Sequence, residues 1–336
     1  MTISSARQSF DVVGIGNAII DILAAASDQQ IAELGLAKGT MTLVDRERSD
    51  FLYAKMGAAR EVSGGSAANT VAAIASLGGK AAFIGRVHDD AFGKIFAHDL
   101  RASGVTFENA PATSGPPTAR CLVFVPEDAQ RTMQTYLGAC VELCPDDVDE
   151  ALVASGHVVY LEGYLWDKPA AKAACIKAAD IAHKVGNKVA LTLSDPFCVG
   201  RWRSEFLDLI HGRVDILFAN EAEITALFET DDFDAAVQAI APHVEIAALT
   251  RGALGSVIVK GERRIDIAAS PCPTVLDTTG AGDLFAAGFL RGLTAGLDLE
   301  ASGRLASASA ASILGIFGPR ASEPLLPLFE EAARGH

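Results

Sequence analysis

The segment Val275-Leu276-Asp277-Thr278-Thr279-Gly280-Ala281-Gly282-Asp283-Leu284-Phe285 holds the residues best placed to do chemistry. It is a polar, glycine-containing turn that runs into a helix marked by Leu284, Phe285, Phe289 and Leu293 at helical spacing. The first amides of a helix have no partner inside it, and the helix dipole is positive there. The amides of Gly280, Ala281, Gly282 and Asp283 therefore suit an anion. The Asp283 carboxylate, in the first turn, suits a proton leaving a hydroxyl. Holding an anion while deprotonating a hydroxyl is the chemistry of group transfer. The same residues also fit an aspartate that merely caps a helix, and the segment alone does not choose.

Other segments supply what such a turn would act on. Val62-Ser63-Gly64-Gly65-Ser66-Ala67-Ala68-Asn69 is a second glycine turn opening a helix. Gly64 and Gly65 let a ligand approach the backbone, and Asn69 offers both a donor and an acceptor to sugar hydroxyls. A tight turn before a small-residue helix is the plainer reading. Gly14-Ile15-Gly16-Asn17-Ala18-Ile19-Ile20-Asp21 resembles a dinucleotide fingerprint, but Ile19 occupies its third glycine position. Asp21 instead follows a strand, where a carboxylate can accept from two adjacent hydroxyls. Asn220 and Glu223 follow an apolar strand, as do Thr250 and Gly252, and ligands gather at such strand ends in open α/β sheets. Glu223 could hold Mg²⁺ through water, since that ion keeps most of its hydration. Asn220 is equally a good helix cap. No P-loop, HExxH or G-x-S-x-G pattern occurs.

These residues need a scaffold, and the pattern predicts an α/β one. Strand-like runs fall at 12–16, 81–85, 158–161, 189–193, 216–219, 246–250 and 256–259. Helical patterns fall at 66–77, 92–103, 169–185, 221–228, 233–241, 282–295 and 300–317. Several strands are continuously apolar, as strands covered on both faces are. The alternation implies a three-layer α/β/α domain with a mostly parallel central sheet. Two stretches, about 20–44 and 105–137, break the rhythm. The second carries β-type runs at 118–125 and 131–136 around the turn Glu127-Asp128-Ala129-Gln130. They are expected to pair as a small β-rich lid that closes over a ligand and excludes water. Nothing else divides the chain, so residues 1–336 read as one domain with the lid inserted.

Half of the 336 residues are hydrophobic, enough for a sizeable core, and the formal charge is -14. No basic cluster suggests nucleic acid. The six cysteines are scattered and fit buried thiols better than a metal site or disulfides. The polar start of the chain resembles neither a signal peptide nor a membrane span. The expectation is a cytoplasmic protein, monomer or homodimer, with small-molecule partners and no membrane partner.

Together the segments resemble the ribokinase-like, or PfkB, family of carbohydrate and nucleoside kinases. "DTTGAGDLFAAGF" matches its C-terminal signature. "GGSAANTVAAIASLG" followed by "FIGRVHDDAFGKIFAHDLRASGV" matches its N-terminal one, and "NEAE" its N-x-x-E element. "GNAIIDI", "YLEGYLW", "LTLSDPF" and "VDILFANEAE" are most similar to the adenosine kinase branch, although Thr192 and Asp195 stand where that branch has Asn and Ala. The resemblance implies transfer of the γ-phosphoryl of ATP to a primary hydroxyl of a nucleoside, most of all adenosine. A sugar kinase, a guanosine or inosine kinase and a non-enzymatic nucleoside-binding regulator are the alternatives. It makes Asp283 the catalytic base and Gly280, Ala281 and Gly282 the anion hole. Asn17, Asp21, Gly64, Gly65 and Asn69 would bind ribose, with Tyr164 and Leu165 at the base. Arg131 would hold the transferred phosphate. Asn220 and Glu223 would organise Mg²⁺ and phosphates, Thr250 and Gly252 would line the ATP site, and Asp277 and Thr279 would hold a monovalent cation such as K⁺.

Overall fold

The structure is a computed structural model that describes residues 9–128, 130–321 and 323–335. The chain start through Gln8, and Ala129 of the expected lid turn, lie outside the described residues. Thirteen strands are described: β1 (Phe10–Ile15), β2 (Ile19–Ala25), β3 (Met41–Leu43), β4 (Ala59–Gly64), β5 (Ala81–Ile84), β6 (Ala119–Val125), β7 (Thr132–Tyr136), β8 (Gly156–Glu162), β9 (Lys188–Thr192), β10 (Ile216–Asn220), β11 (Ile246–Thr250), β12 (Ser256–Lys260) and β13 (Arg263–Ile267). Eight of them form one sheet in the order β13-β12-β11-β10-β9-β8-β1-β5. It is parallel from β5 to β11, and β12 and β13 join antiparallel. The mostly parallel three-layer architecture is thus the one the alternating pattern implies.

Apolar side chains on successive strand positions point to opposite faces, and two cores result. Val12, Tyr160, Phe218 and Ala248 face one helical layer, which includes Ser66–Ser76, Ala281–Thr294 and Leu299–Leu314. Val13, Val159, Leu191 and Leu217 face the other, which includes Pro169–Lys184 and Pro196–Arg213. The helix Pro196–Arg213 is absent from the sequence expectations, although Asp195 caps it and Pro196 opens it. Its pattern is broken by non-helical geometry at Trp202. Among the described residues no helix is long and apolar enough to cross a membrane.

The remaining strands form a second sheet, β3-β7-β6-β2-β4. The two irregular stretches supply four of these strands. The fifth, β4, comes from between them, and a short helix, Asp28–Glu33, lies where only irregular chain was expected. Ile20, Ile22, Leu122 and Phe124 pack one face of this sheet into the core. Register then puts Asp21, Cys121, Thr135 and Leu43 in one row on the other face, and Leu23, Val123, Met133 and Met41 in the next.

Helices Ala281–Thr294 and Leu299–Leu314 pack closely through small residues. A Cβ on Gly288 would lie 2.7 Å from the Cα of Ala306 and 2.8 Å from the carbonyl oxygen of Leu305. That backbone cannot yield as a side chain can. Gly288→Val is expected to destabilise the protein by about 1–3 kcal/mol, the usual cost of overpacking, measured as a lowered urea midpoint at unchanged slope. An unchanged midpoint would show that the helices do not need this approach.

Candidate active site

The helix Ala281–Thr294 begins from Gly280, which takes a left-handed conformation (φ 80) with no side-chain cap. A Cβ there would strike Pro319 at 2.7 Å. Asp283 does not cap this helix. Its carboxylate turns to the second glycine turn, where the Ser66 hydroxyl donates to Oδ1 (2.6 Å) and the Asn69 amide donates to Oδ2 (3.0 Å). Of the expected anion donors, the Ala281 amide is already used, donating to the Thr278 carbonyl at 3.1 Å. The first-turn amides of Gly282 and Asp283 remain, without intrahelical acceptors.

Asp21 reaches the same place from β2. Gly64 makes room for it, since a Cβ on Gly64 would sit 2.4 Å from Asp21 Oδ2. Gly65 has φ 99, and a Cβ there would collide with the Asn17 carbonyl at 2.1 Å. Arg320, unmarked by any sequence pattern, completes the group. Its Nε donates to Asn69 Oδ1 (3.3 Å), and its charge acts on both Asp21 and Asp283. Burial pushes the Asp283 pKa up to about 6, against the hydrogen bonds from Ser66 and Asn69 and the charge of Arg320. Burial also raises Asp21 to about 6, against Arg320 and Arg131. Both carboxylates are still mainly ionised at neutral pH.

Asn17 is held by a buried acid. Its Nδ2 donates to Glu162 Oε1 (2.7 Å), leaving Oδ1 without a partner. Glu162, at the end of β8, also accepts from the amide of Ala67 (2.9 Å). This buried acid fastens the end of β1 to the second glycine turn, and sequence reasoning missed it. Leu165 is not offered to a ligand, because it is buried in the core with Leu193 and Cys198. The Tyr164 hydroxyl donates to the Ser194 carbonyl at 3.3 Å.

Two cavities meet at Gly282, and the smaller also touches Asp283. One, of about 270 Å³, is lined by Ser66, Thr192, Asn220, Glu223, Gly282 and Asp283 among others. The other, of about 490 Å³, is lined by Thr250, Gly252, Val275, Phe285, Ala310 and Leu314 among others. They share Thr250, Gly282 and Phe285. Asn220 caps its helix, as its plainer reading held, and closes a capping box with Glu223: Asn220 Nδ2 donates to Glu223 Oε1 at 2.6 Å. Burial and then Asp195 raise the Glu223 pKa to about 7, with only the Asn220 amide opposing. An acid pocket short of positive charge suits a hydrated Mg²⁺. The expected monovalent-cation position does not fit its ion. Asp277 is paired there with the Arg131 guanidinium. A cation roughly 4 Å from that charge would be repelled by about 4 kcal/mol at an effective dielectric near 20.

The fold and this site define a ribokinase-like kinase. The model of the pfkB family of carbohydrate kinases matches residues 30–325, and the chain belongs to that family. It is a phosphotransferase with an alcohol acceptor, and kinases of this family use ATP, generally with Mg²⁺. An adenosine kinase from Sinorhizobium meliloti is 51% identical, with a TM-score of 0.89 over 96% of this chain and 99% of that one. A probable sugar kinase from Rhizobium etli is 49% identical, with a TM-score of 0.90 over 97% of this chain and 99% of that one. A 5-dehydro-2-deoxygluconokinase from Shouchella clausii is 27% identical over 91% of this chain and 90% of its own length.

Burial lifts the Glu162 pKa from 4.5 to about 7, against hydrogen bonds from Ala67 and Asn17. The folded chain therefore keeps a proton that the unfolded chain has already released. Raising the pH from about 4.5 to 7 favours the unfolded chain. Glu162→Gln removes this share. Its urea midpoint should fall less than the wild type's between about pH 5 and about pH 7.5, and an equal or larger fall would sink the assignment.

Proposed function

We propose that this kinase transfers the γ-phosphoryl of ATP to the 5′-hydroxyl of a purine nucleoside, adenosine before others. The observation carrying this reading is the second sheet's face beside Asp21. Leu23, Val123, Met133 and Met41 form an apolar row next to the Asp21 row. Met41 and Leu43 are 48% and 53% exposed, and Val123 is buried yet belongs to neither core cluster. A flat apolar base needs such a slot, whereas a free sugar needs polar groups on every side. The likeness to the Sinorhizobium meliloti adenosine kinase supports the same reading.

In this reading the ribose hydroxyls lie on Asp21 and Asn69, with Gly64 and Gly65 allowing close approach and Asn17 held behind them by Glu162. The second sheet acts as the lid and keeps water from the transferred group. The larger cavity, with Thr250 and Gly252, takes ATP. Its phosphates extend past Gly282 toward the smaller cavity and Asn220. Mg²⁺, when bound near Glu223, offsets phosphate charge. Phosphoryl transfer demands in-line positioning and neutralisation of charge on the phosphate oxygens. The Gly282 and Asp283 amides supply part of that neutralisation. Arg131, whose buried Nε lacks a partner, adds charge beside the turn. Ser66 and Asn69 orient the Asp283 carboxylate, which takes the proton of the attacking hydroxyl.

A panel of adenosine, guanosine, inosine, ribose and fructose, each with ATP-Mg²⁺ and assayed for ADP, tests the acceptor. The highest kcat/KM is expected with adenosine. A higher value with a free sugar would make this a sugar kinase. Asp283→Asn should lower kcat by ~10²–10⁴-fold, the usual worth of a general base, with nucleoside Kd little changed. Near wild-type turnover would remove Asp283 from the proton transfer.

A further inference from the structure

The position that the family resemblance gave to a monovalent cation is filled by a side chain of the protein itself. Asp277 Oδ1 accepts from the Thr279 amide (3.0 Å) and the Thr279 hydroxyl (2.8 Å). Oδ2 accepts from the Gly318 amide (2.9 Å) and pairs with the Arg131 guanidinium. The two charged side chains are only 7% and 8% exposed. Arg131 Nη1 also donates to Thr279 Oγ1 at 3.3 Å, and the guanidinium lies 6.0 Å from the Phe317 ring.

Asp277 is therefore a junction. It fixes the approach to Gly280 through Thr279, and it fixes Gly318, whose neighbour Pro319 packs against Gly280. A buried carboxylate in this role needs a counter-charge whenever the protein is folded. We propose that Arg131 is that counter-charge, a built-in substitute for the monovalent cation that makes the anion turn independent of K⁺. Arg131 stands just before β7 in the second sheet. The shape of the turn is thereby tied to the seating of that sheet. In this respect Arg131 is a positioning residue, and the inference holds whatever the acceptor.

The test compares K⁺ with tetramethylammonium at equal ionic strength, in thermal unfolding of the full chain without nucleotide. The wild-type midpoint should be the same in both salts. Arg131→Met leaves Asp277 unpaired but opens its site. Its midpoint should be higher in K⁺ than in tetramethylammonium by at least about 2 °C, a readable shift for a protein of this size. The double variant Arg131→Met/Asp277→Asn should again be indifferent to the salt. A K⁺-specific rise in the wild type would overturn the proposal, as would a folded Arg131→Met without a K⁺ response. If Arg131→Met does not fold in tetramethylammonium, refolding yield becomes the readout. A higher yield in K⁺ supports the proposal, and equal yields overturn it.

Discussion

Two helix amino-termini are drawn to a single carboxylate, and the rest of the site is arranged around that constraint. Asp283 belongs to the helix Ala281–Thr294, while both its hydrogen-bond donors, Ser66 and Asn69, belong to the helix Ser66–Ser76. Each helix brings a positive dipole end to the same place. The convergence makes a dry acid tolerable there and leaves the Gly282 and Asp283 amides free beside it. In the proposed reaction it would also set the distance between phosphate and acceptor hydroxyl, which phosphoryl transfer must hold fixed.

Convergence alone would leave the second glycine turn free to rock. Glu162 removes that freedom from below by holding Asn17 and the Ala67 amide at once. Gly16 permits it, because a Cβ there would lie 2.3 Å from the Glu162 carboxylate. The parallel sheet thus contributes more than a platform. The ends of β1 and β8 are fastened to the turn that carries Ser66 and Asn69, and the end of β11 opens on the cavity beside Gly282.

The sequence made one class of residue visible and hid another. Asp283, Asn69 and Gly64 stand in short motifs whose spacing already implies a turn and a helix. The parallel strands were visible as apolar runs because both faces of the sheet are covered. Glu162 and Arg320 were invisible because their partners are distant in the chain: 145 positions separate Glu162 from Asn17, and 251 separate Arg320 from Asn69. Local pattern carries no information about such pairings. The helix Pro196–Arg213 was hidden differently. Its start signals, Asp195 and Pro196, are present, but charged residues and the break at Trp202 blur its apolar stripe. Leu165 shows the opposite failure, in which likeness to a motif suggested a surface that packing has buried.

Charge balance adds to shape in narrowing the proposed acceptor. Burial raises the pKa values of both Asp21 and Asp283 to about 6, and the nearby Asp283 charge adds a smaller upward push on Asp21. Arg131 acts on Asp21 but is already paired with Asp277, and Arg320 is shared among Asp21, Asp283 and Asp99. Among the described residues, the two arginines nearest Asp21 already have carboxylate partners, so an acidic acceptor beside Asp21 would have to compete for them. An acceptor bearing a carboxylate or phosphate near Asp21 would add a third negative charge to a buried pair, which low dielectric makes costly. A neutral polyol adds none, and its hydroxyls can donate to both carboxylates. That favours a neutral acceptor, and the apolar row beside Asp21 favours one with a flat apolar part attached to its hydroxyls. A nucleoside meets both conditions, while a free sugar meets only the first.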